Sequence, residues 1–406
     1  MKTAFYPWIV LQLTLYSLAA QSPEPLLLNK ARSPVPSDYN SISFTLSTAQ
    51  VNVLHEAKGK KPILKVSSII VNEEVRTVKH IHVRGKTSTY YRRKSLNIKT
   101  KERSHFYIEG DTFAISKFYA ISMAMDRNYV RNKIAYEILA SSGLRVPTNC
   151  YARLRINGAS EGLYLIFDPP DDYAIKKCHS PFVIRRGFDE AIDKMSVQKN
   201  SDHEEEKEFR RKFRSLYSSA TLNMKGQELY EALSGILDLN SYFRWLAFNH
   251  LFQNGDYADE VYFMWNPEIV KFEIIPWDFD DILKSQPHEG TEERSKSYAD
   301  RLMFSLEDDL DKKIAGDDYV YGKYLHTYRE FLNSLTGDRL RNVLTAVFDK
   351  VCPYYQDSAT ISQSAYDQYG ETDINKLEAD LNNIYEYITL RSTEVAEKIA
   401  GQLSKQ

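Results

Sequence analysis

The chain has little cysteine, no excess of either charge and, beyond its first twenty residues, no long apolar run. Cys150, Cys178 and Cys352 are its 3 cysteines in 406 residues, and their spacing forms neither a metal knuckle nor a CxxC redox pair. A disulfide-dense scaffold is thereby excluded. One bridge, Cys150–Cys178, is the pairing the sequence suggests, and a core of this size does not require it. With 53 basic and 55 acidic residues the formal charge is -2, which argues against bulk nucleic-acid binding and against electrostatic capture by a membrane. No later stretch approaches the roughly twenty apolar residues of a membrane span, so no stable membrane insertion is expected of the mature chain. An N-x-Ser/Thr acceptor is absent, as is any internal repeat or low-complexity tract.

What is present reads as an exported globular protein. Hydrophobic residues make up 43% and charged residues 27%, well away from the disordered class. Lys2, the mostly apolar run Ala4 to Leu18 and the small residues Ser17-Leu18-Ala19-Ala20 predict a signal peptide over 1–20. A secreted or extracytoplasmic location follows, periplasm or cell surface if the source is bacterial. Residues 21–39 carry Pro and Ser and predict an irregular lead-in. The 28 tyrosines are an unusual count; they suit either a wet recognition cleft or a Tyr-rich core and rim.

Periodicity divides the remainder in two. Ile42 to Leu46, Ile63 to Ile70, Val75 to Val83 and Ser95 to Ile98 predict short strands. Over Asp126 to Ala140 the pattern becomes helical, with Val130, Ile134, Ile138 and Leu139 on one face and Gly143 as the stop. Ala152 to Ile156 and Gly162 to Phe167 flank Asn157-Gly158, a pair that tolerates positive φ in a tight hairpin turn. Phe182 to Arg186 adds a strand. The charged run 201–216 predicts a solvated helix or linker with i,i+4 ion pairs. Helices are expected over 229–236, 238–252, 323–333, 338–350 and 374–401, with strands near 261–265 and 270–275. The fold class is therefore α+β and two-lobed: a β-rich lobe over 40–190 and a mostly helical lobe over 191–406, with a cleft between lobes as the natural ligand site.

The chemistry concentrates in a few segments. Asn254-Gly255-Asp256 follows a helix-like run, and Ile275-Pro276-Trp277-Asp278-Phe279-Asp280 ends a strand-like one. Carboxylates delivered from different elements can converge on one hard divalent cation, with substrate phosphates completing its shell. Asp256, exposed in a Gly-containing turn, is ionised at neutral pH and suited to accept a hydroxyl proton. Arg84-Gly85-Lys86-Thr87-Ser88 places a Gly between two cations, followed by hydroxyls, an arrangement able to cradle an anion. Beyond it, Lys94 and Lys99 bracket a strand whose Leu96 and Ile98 share one face while Ser95, Asn97 and Lys99 share the other. A lysine at such a strand end can hold nucleotide phosphates, and the sequence leaves Lys94 and Lys99 both open for that role.

Taken in order, these segments resemble the CotH family, the spore-coat CotH-type atypical protein kinases. The likeness rests on Arg84-Gly85-Lys86-Thr87-Ser88, the basic strand Lys94 to Lys99, Asp126 through Arg131-Asn132, and the hairpin Asn157-Gly158 to Gly162-Leu163-Tyr164. It continues through Asn254-Gly255-Asp256 and Pro276-Trp277-Asp278-Phe279-Asp280 to the closing helix with Arg391. The resemblance implies an atypical protein-kinase-like fold and transfer of the ATP γ-phosphate to Ser/Thr hydroxyls of a protein substrate, with Mg²⁺ or Mn²⁺. It makes Asp256 the catalytic-loop carboxylate, Asp278 the metal ligand with Asp280 beside it, and the basic strand the source of the phosphate-contacting lysine. Arg84, Lys86, Ser88 and Asp168 then face the nucleotide, and Glu260 joins Asp278 and Asp280 at the metal. Two positions depart from the family pattern: Asp168 stands where a Glu is usual, and Glu260 where an Asn is usual before the aromatic strand. Glu260 adds a charge beside metal and phosphates, which motivates an alternative reading as a catalytically weak or inactive kinase-like surface or adhesion protein. A metal-dependent hydrolase would use the same aspartates but leave the basic turn without a role.

Overall fold

The computed structural model describes residues 24–28, 30, 39–108, 110–187, 192, 194–197, 203–283, 301–304 and 306–405. The expected signal peptide lies outside them, as does most of the lead-in. What is described of the lead-in docks onto the helical lobe, where Leu26 N–H donates to Asn382 Oδ1 at 2.7 Å.

Alternating apolar residues close the first part of the chain into a barrel. Its strands are β1 (Ser41–Phe44), β3 (Ser68–Val71), β4 (Glu74–Arg84), β5 (Ser95–Ile108), β6 (Asp111–Ile121), β7 (Asn149–Ile156) and β8 (Ala159–Phe167), with the short β2 (Ile63–Leu64) added to β4. The order β4-β3-β1-β7-β8-β6-β5 returns to its start because β5 also pairs with β4. Neighbours are antiparallel except β1 and β7, which run parallel. Closure removes exposed edges, and Ile42, Val71, Ile81, Val83, Leu96, Ile98, Phe118 and Leu154 fill the interior. Helix α1 (Thr48–Glu56), begun by the Ser47 side chain accepting from Gln50 N–H, precedes β2.

Several sequence expectations hold here. Asn157 and Gly158 both have positive φ, 54° and 80°, as the two-residue turn requires. Helix α2 (Arg131–Ser141) buries Ile134, Ile138 and Leu139 behind the buried Val130 that precedes it, so it starts at Arg131 and not at the expected Asp126; Gly143 follows its end at φ +87°. The long β5–β6 hairpin was not anticipated beyond Ile98. The suggested Cys150–Cys178 bridge is absent: none of the three cysteines is in a disulfide. Cys150 sits within the barrel core while Cys178 packs against the other core, so the pair has no shared environment in which to meet.

The second part is built on a four-stranded antiparallel sheet of order β10-β9-β11-β12. These strands are β9 (Phe182–Arg185), β10 (Lys194–Val197), β11 (Val261–Asn266) and β12 (Lys271–Pro276). Around it lie α3 (His203–Ser215), α4 (Gly226–Ser234), α5 (Leu239–Leu251), α6 (Asp309–Gly316), α7 (Asp318–Ser334), α8 (Gly337–Tyr355) and α9 (Ile374–Leu403). The charged run forms α3 with the expected i,i+4 pairs, Glu206–Arg210 at 3.3 Å and Glu208–Lys212 at 3.0 Å. It is not wholly solvated, since Phe209 and Phe213 anchor one face in the core. Helix α5 is central, burying Tyr242, Phe243, Trp245, Leu246, Phe248 and Leu251. Tyr242, Tyr321, Tyr324 and Tyr328 are fully buried, so much of the tyrosine content is core rather than recognition surface. Among the described residues no helix is long and apolar enough to cross a membrane. The architecture is thus a β-rich first lobe and a largely helical second lobe, the two-lobed α+β arrangement that the sequence pattern predicts.

Candidate active site

A cleft of about 380 Å³ lies where the barrel meets the second lobe. Its barrel wall carries Lys61, His82, Arg84, Gly85, Lys86, Ser88, Ser95, Asn97 and Tyr119, and its opposite wall Arg185, Asp256, Asp259, Glu260, Asp278 and Asp280. Of the residues singled out in the sequence, Arg84, Lys86, Ser88, Asp256, Glu260, Asp278 and Asp280 therefore meet in one place.

Each wall is held by identifiable contacts. Gly85 adopts φ +101°, and a Cβ there would sit 2.0 Å from Ser88 Oγ; only glycine lets the turn fold back on its own serine. The Arg84 guanidinium lies over the Tyr119 ring at 4.1 Å and near Trp277 at 5.6 Å. Burial raises the Asp278 carboxyl above its ordinary value, and Arg84, held there by aromatic faces, opposes that rise.

The acidic loops are pinned from behind. Helix α5 ends at Leu251, where Arg391 donates to the His250 and Leu251 carbonyls at 3.0 Å each, satisfying groups the helix leaves unpaired. Asn254 is fully buried and bonds Asn249 through its amide at 3.0 Å. Its own oxygen accepts from Asp256 N–H at 3.3 Å, which fixes the turn that presents Asp256. The second loop does not continue as a strand: β12 stops at Pro276 and Asp278 takes φ +48°, a strained conformation for a non-glycine residue. Neighbours impose it. Asp278 N–H donates to Tyr136 Oη at 3.2 Å, Phe279 N–H to Asn132 Oδ1 at 3.0 Å, and Arg131 reaches the Ile282 and Leu283 carbonyls at 2.9 Å each. Asp126 in turn accepts from the Arg131 and Asn132 amides at 2.9 Å. The Asp126…Arg131-Asn132 segment is thus the clamp that shapes the acidic loop, and Phe279, fully buried against Tyr136 and Phe248, is its wedge.

Glu260 is the electrostatic outlier. Its carboxyl is raised well above the ordinary value by burial first and by Asp278 second. Arg185 answers it at 2.8 Å and also pairs with Asp259 at 3.4 Å. One buried Glu260 oxygen, Oε2, has no hydrogen-bond partner. Sequence reasoning read Phe182 to Arg186 as a strand and gave Arg185 no role. The available signal was two adjacent arginines ending an apolar strand, because alternation must send them to opposite faces.

Three expected residues lie elsewhere. Lys94 is buried, with Nζ donating to the carbonyls of Thr89 (2.6 Å) and Tyr91; it braces the Gly85 turn from beneath instead of entering the cleft. Lys99, one row further along β5 opposite His80 and Lys117, does not line the cleft either. Asp168 ends the β8 hairpin outside the cleft and pairs with Lys177 at 2.9 Å. The cations that do line it are Lys61, Arg84, Lys86 and Arg185. Among the described residues no group of three His, Cys, Asp or Glu side chains is assembled as a metal centre.

Residues 81–395 match a family described as CotH kinase protein. Inner spore coat protein H of Bacillus subtilis (strain 168) is 23% identical over 297 residues, 68% of this chain and 76% of that protein. The match spans the cleft lining apart from Lys61 and the clamp behind it, and the chain belongs to the CotH kinase family.

Proposed function

We propose that this chain is a secreted protein kinase that transfers the γ-phosphate of ATP to Ser/Thr hydroxyls of a protein substrate, using Mg²⁺ or Mn²⁺. The observation that carries the reading is the meeting of Asp256, Asp278, Asp280 and Glu260 with the Arg84-Gly85-Lys86 turn across one cleft. Phosphoryl transfer depends mainly on positioning and charge neutralisation, and the two walls divide those tasks. Backbone N–H groups of the glycine turn, with Arg84, Lys86 and Ser88, hold the phosphates. Asp256 orients the acceptor hydroxyl and takes its proton as the oxygen attacks the γ-phosphorus, ADP leaving with the bridging oxygen.

The residues fit a divalent cation. Mg²⁺ is usually held by one or two carboxylates, with phosphate oxygens and water completing the shell, so a preassembled triad is not required. Asp278 and Glu260 push against each other electrostatically, and Glu260 Oε2 is buried without a partner, features that a cation at Asp278, with Asp280 and Glu260 beside it, would relieve. When bound, the metal supplies charge neutralisation at the β- and γ-phosphates. The extra charge at Glu260 is already offset by Arg185, which favours the enzyme over a non-catalytic surface protein.

Incubating the purified mature chain with labelled ATP, Mg²⁺ or Mn²⁺ and generic protein substrates tests the reading. Label should enter Ser/Thr of the acceptor. Transfer no higher than that of an Asp278→Ala control would remove the kinase assignment.

A further inference from the structure

Helix α9 grips the end of α5 with two side chains one turn apart. Tyr387 and Arg391 stand at i and i+4 on α9 and so share a face. A helix leaves its last four carbonyls without partners of its own, and at the end of α5 each of them is answered. Asn249 O accepts from Asn254 N–H at 3.0 Å, the His250 and Leu251 carbonyls accept from Arg391, and Phe252 O accepts from Leu283 N–H at 2.9 Å. The last of these bonds ties the Asp278 loop to the end of α5.

Gln253 is therefore the single residue between two fixed points. Before it, Phe252 is bonded to the Asp278 loop; after it, the fully buried Asn254 holds Asp256 N–H. A change in the φ and ψ of Gln253 swings the Asp256 turn against Asp278, so this residue sets how the two carboxylates face each other. Gln253 takes φ +50°, the left-handed conformation in which helices commonly end and for which glycine is the usual residue. The Cβ of a glutamine disfavours that conformation, and its side chain supplies a tether instead: Tyr387 Oη donates to Gln253 Oε1 at 2.8 Å. Arg391 anchors α9 to the same helix end, so the tether comes from a fixed frame.

We infer that Tyr387 is a positioning residue for phosphoryl transfer, its hydroxyl holding Gln253 in the left-handed conformation that aims Asp256 at the acceptor. This rests on the kinase reading above and adds to it a residue of the last helix. Tyr387 does not line the cleft, and the Asp278 loop keeps its own clamp in Arg131, Asn132 and Tyr136. Loss of the tether therefore acts on the transfer step through Asp256, while metal and nucleotide are held as before.

Steady-state transfer and calorimetric Mg²⁺–ATP titration of the full mature chain test the inference in the wild type, Tyr387→Phe, Gln253→Gly and the double variant. The tether lies at the surface, so the effect is modest: kcat of Tyr387→Phe should fall about fivefold, the value of one hydrogen bond, with Mg²⁺–ATP affinity and the KM for ATP unchanged. Gln253→Gly needs no tether to hold positive φ. It should transfer at nearly the wild-type rate, and adding it to Tyr387→Phe should restore the loss. A merely structural bond would lower the melting temperature without this split and without rescue. An unchanged kcat in Tyr387→Phe, a matching loss of Mg²⁺–ATP affinity, or a fall that Gln253→Gly does not recover would overturn the positioning role while leaving the kinase reading standing. Absence of transfer by the wild type would instead overturn the kinase reading and this inference with it.

Discussion

Two clusters of similar side chains meet at the end of β9, one on each side of the strand. On the cleft side Arg185 pairs with Asp259 and Glu260, and the cluster opens onto Asp278 and a cavity of 380 Å³. On the other side Arg186 is completely buried. It donates to Tyr242 Oη at 2.6 Å and to the Ala258 carbonyl, and faces Asp308 at 3.5 Å and Asp311 at 3.6 Å. Both clusters put two carboxylates around one guanidinium. Both also hold buried polar atoms without a hydrogen-bond partner, Arg186 Nη2 and Asp311 Oδ2 in one and Glu260 Oε2 in the other. The difference lies in access: the inner cluster packs against Tyr242 and Trp245, whose ring lies 5.2 Å from the guanidinium, whereas the outer one lines the cleft beside a strained backbone at Asp278. Burial of charge inside a closed core ties elements together; the same charges beside a cavity are poised for a ligand.

The comparison breaks most visibly at Arg186. Arg186→Ala leaves Asp308 and Asp311 buried without their cation and should cost about 3–5 kcal/mol, read as a lower denaturant midpoint, with nucleotide affinity unchanged in whatever fraction remains folded. A loss under about 1 kcal/mol would mean that the cluster is not sealed. Gly85→Ala comes next. With φ +101° and Ser88 Oγ in the way, it should cost about 1–3 kcal/mol of local strain and weaken tripolyphosphate binding, while a double change with Ser88→Ala should recover only the steric part.

Burial raises carboxyls in both clusters, and in the inner one the effect reads directly on stability. The Asp311 carboxyl is pushed up to about 7 from its ordinary 3.8, by burial, with Arg186 opposing. Two carboxylates share one cation there, so the folded state retains a proton that the unfolded chain has released. Between about pH 4 and 7 the folded state binds more protons, and stability should fall as pH rises through that window. Asp311→Asn mimics the protonated form and should flatten the slope in thermal melts; an unchanged slope would place its origin elsewhere. The smallest effect on stability is expected for Arg185→Ala, about 1 kcal/mol as for a partly exposed pair, but this variant should weaken Mg²⁺–ATP binding by removing one of the cations that line the cleft. Wild-type binding in Arg185→Ala would reduce that arginine to a structural residue.

The legible parts of the fold were those whose local chemistry and tertiary role agree. Asn157-Gly158 declares its turn by backbone preference alone, and Ile134, Ile138 and Leu139 declare the buried face of α2. The β5–β6 hairpin escaped because its register shifts between Lys99 and Ser104, and the exposed Lys101-Glu102-Arg103 interrupt the alternation. At the site, the acidic loops and the glycine turn were readable because their residue types have few other uses in that spacing. Lys94 misled because a lysine beside a phosphate-like turn reads the same whether its ammonium enters the cleft or caps backbone carbonyls beneath it. Arg185 was missed because its partners, Asp259 and Glu260, come from a distant segment that only β9–β11 pairing brings alongside.

The central claim is that the cleft holds metal-nucleotide through Asp278 and activates the acceptor through Asp256. Titrating Mg²⁺ against ATP binding in the wild type, Asp278→Asn and Asp256→Asn tests it most directly. Asp278→Asn should lose the Mg²⁺-dependent part of binding. Asp256→Asn should keep that binding while transfer falls by about a hundredfold to ten-thousandfold. Equal loss of Mg²⁺-dependent binding in both variants would contradict the division of labour, since both carboxylates would then be holding the metal.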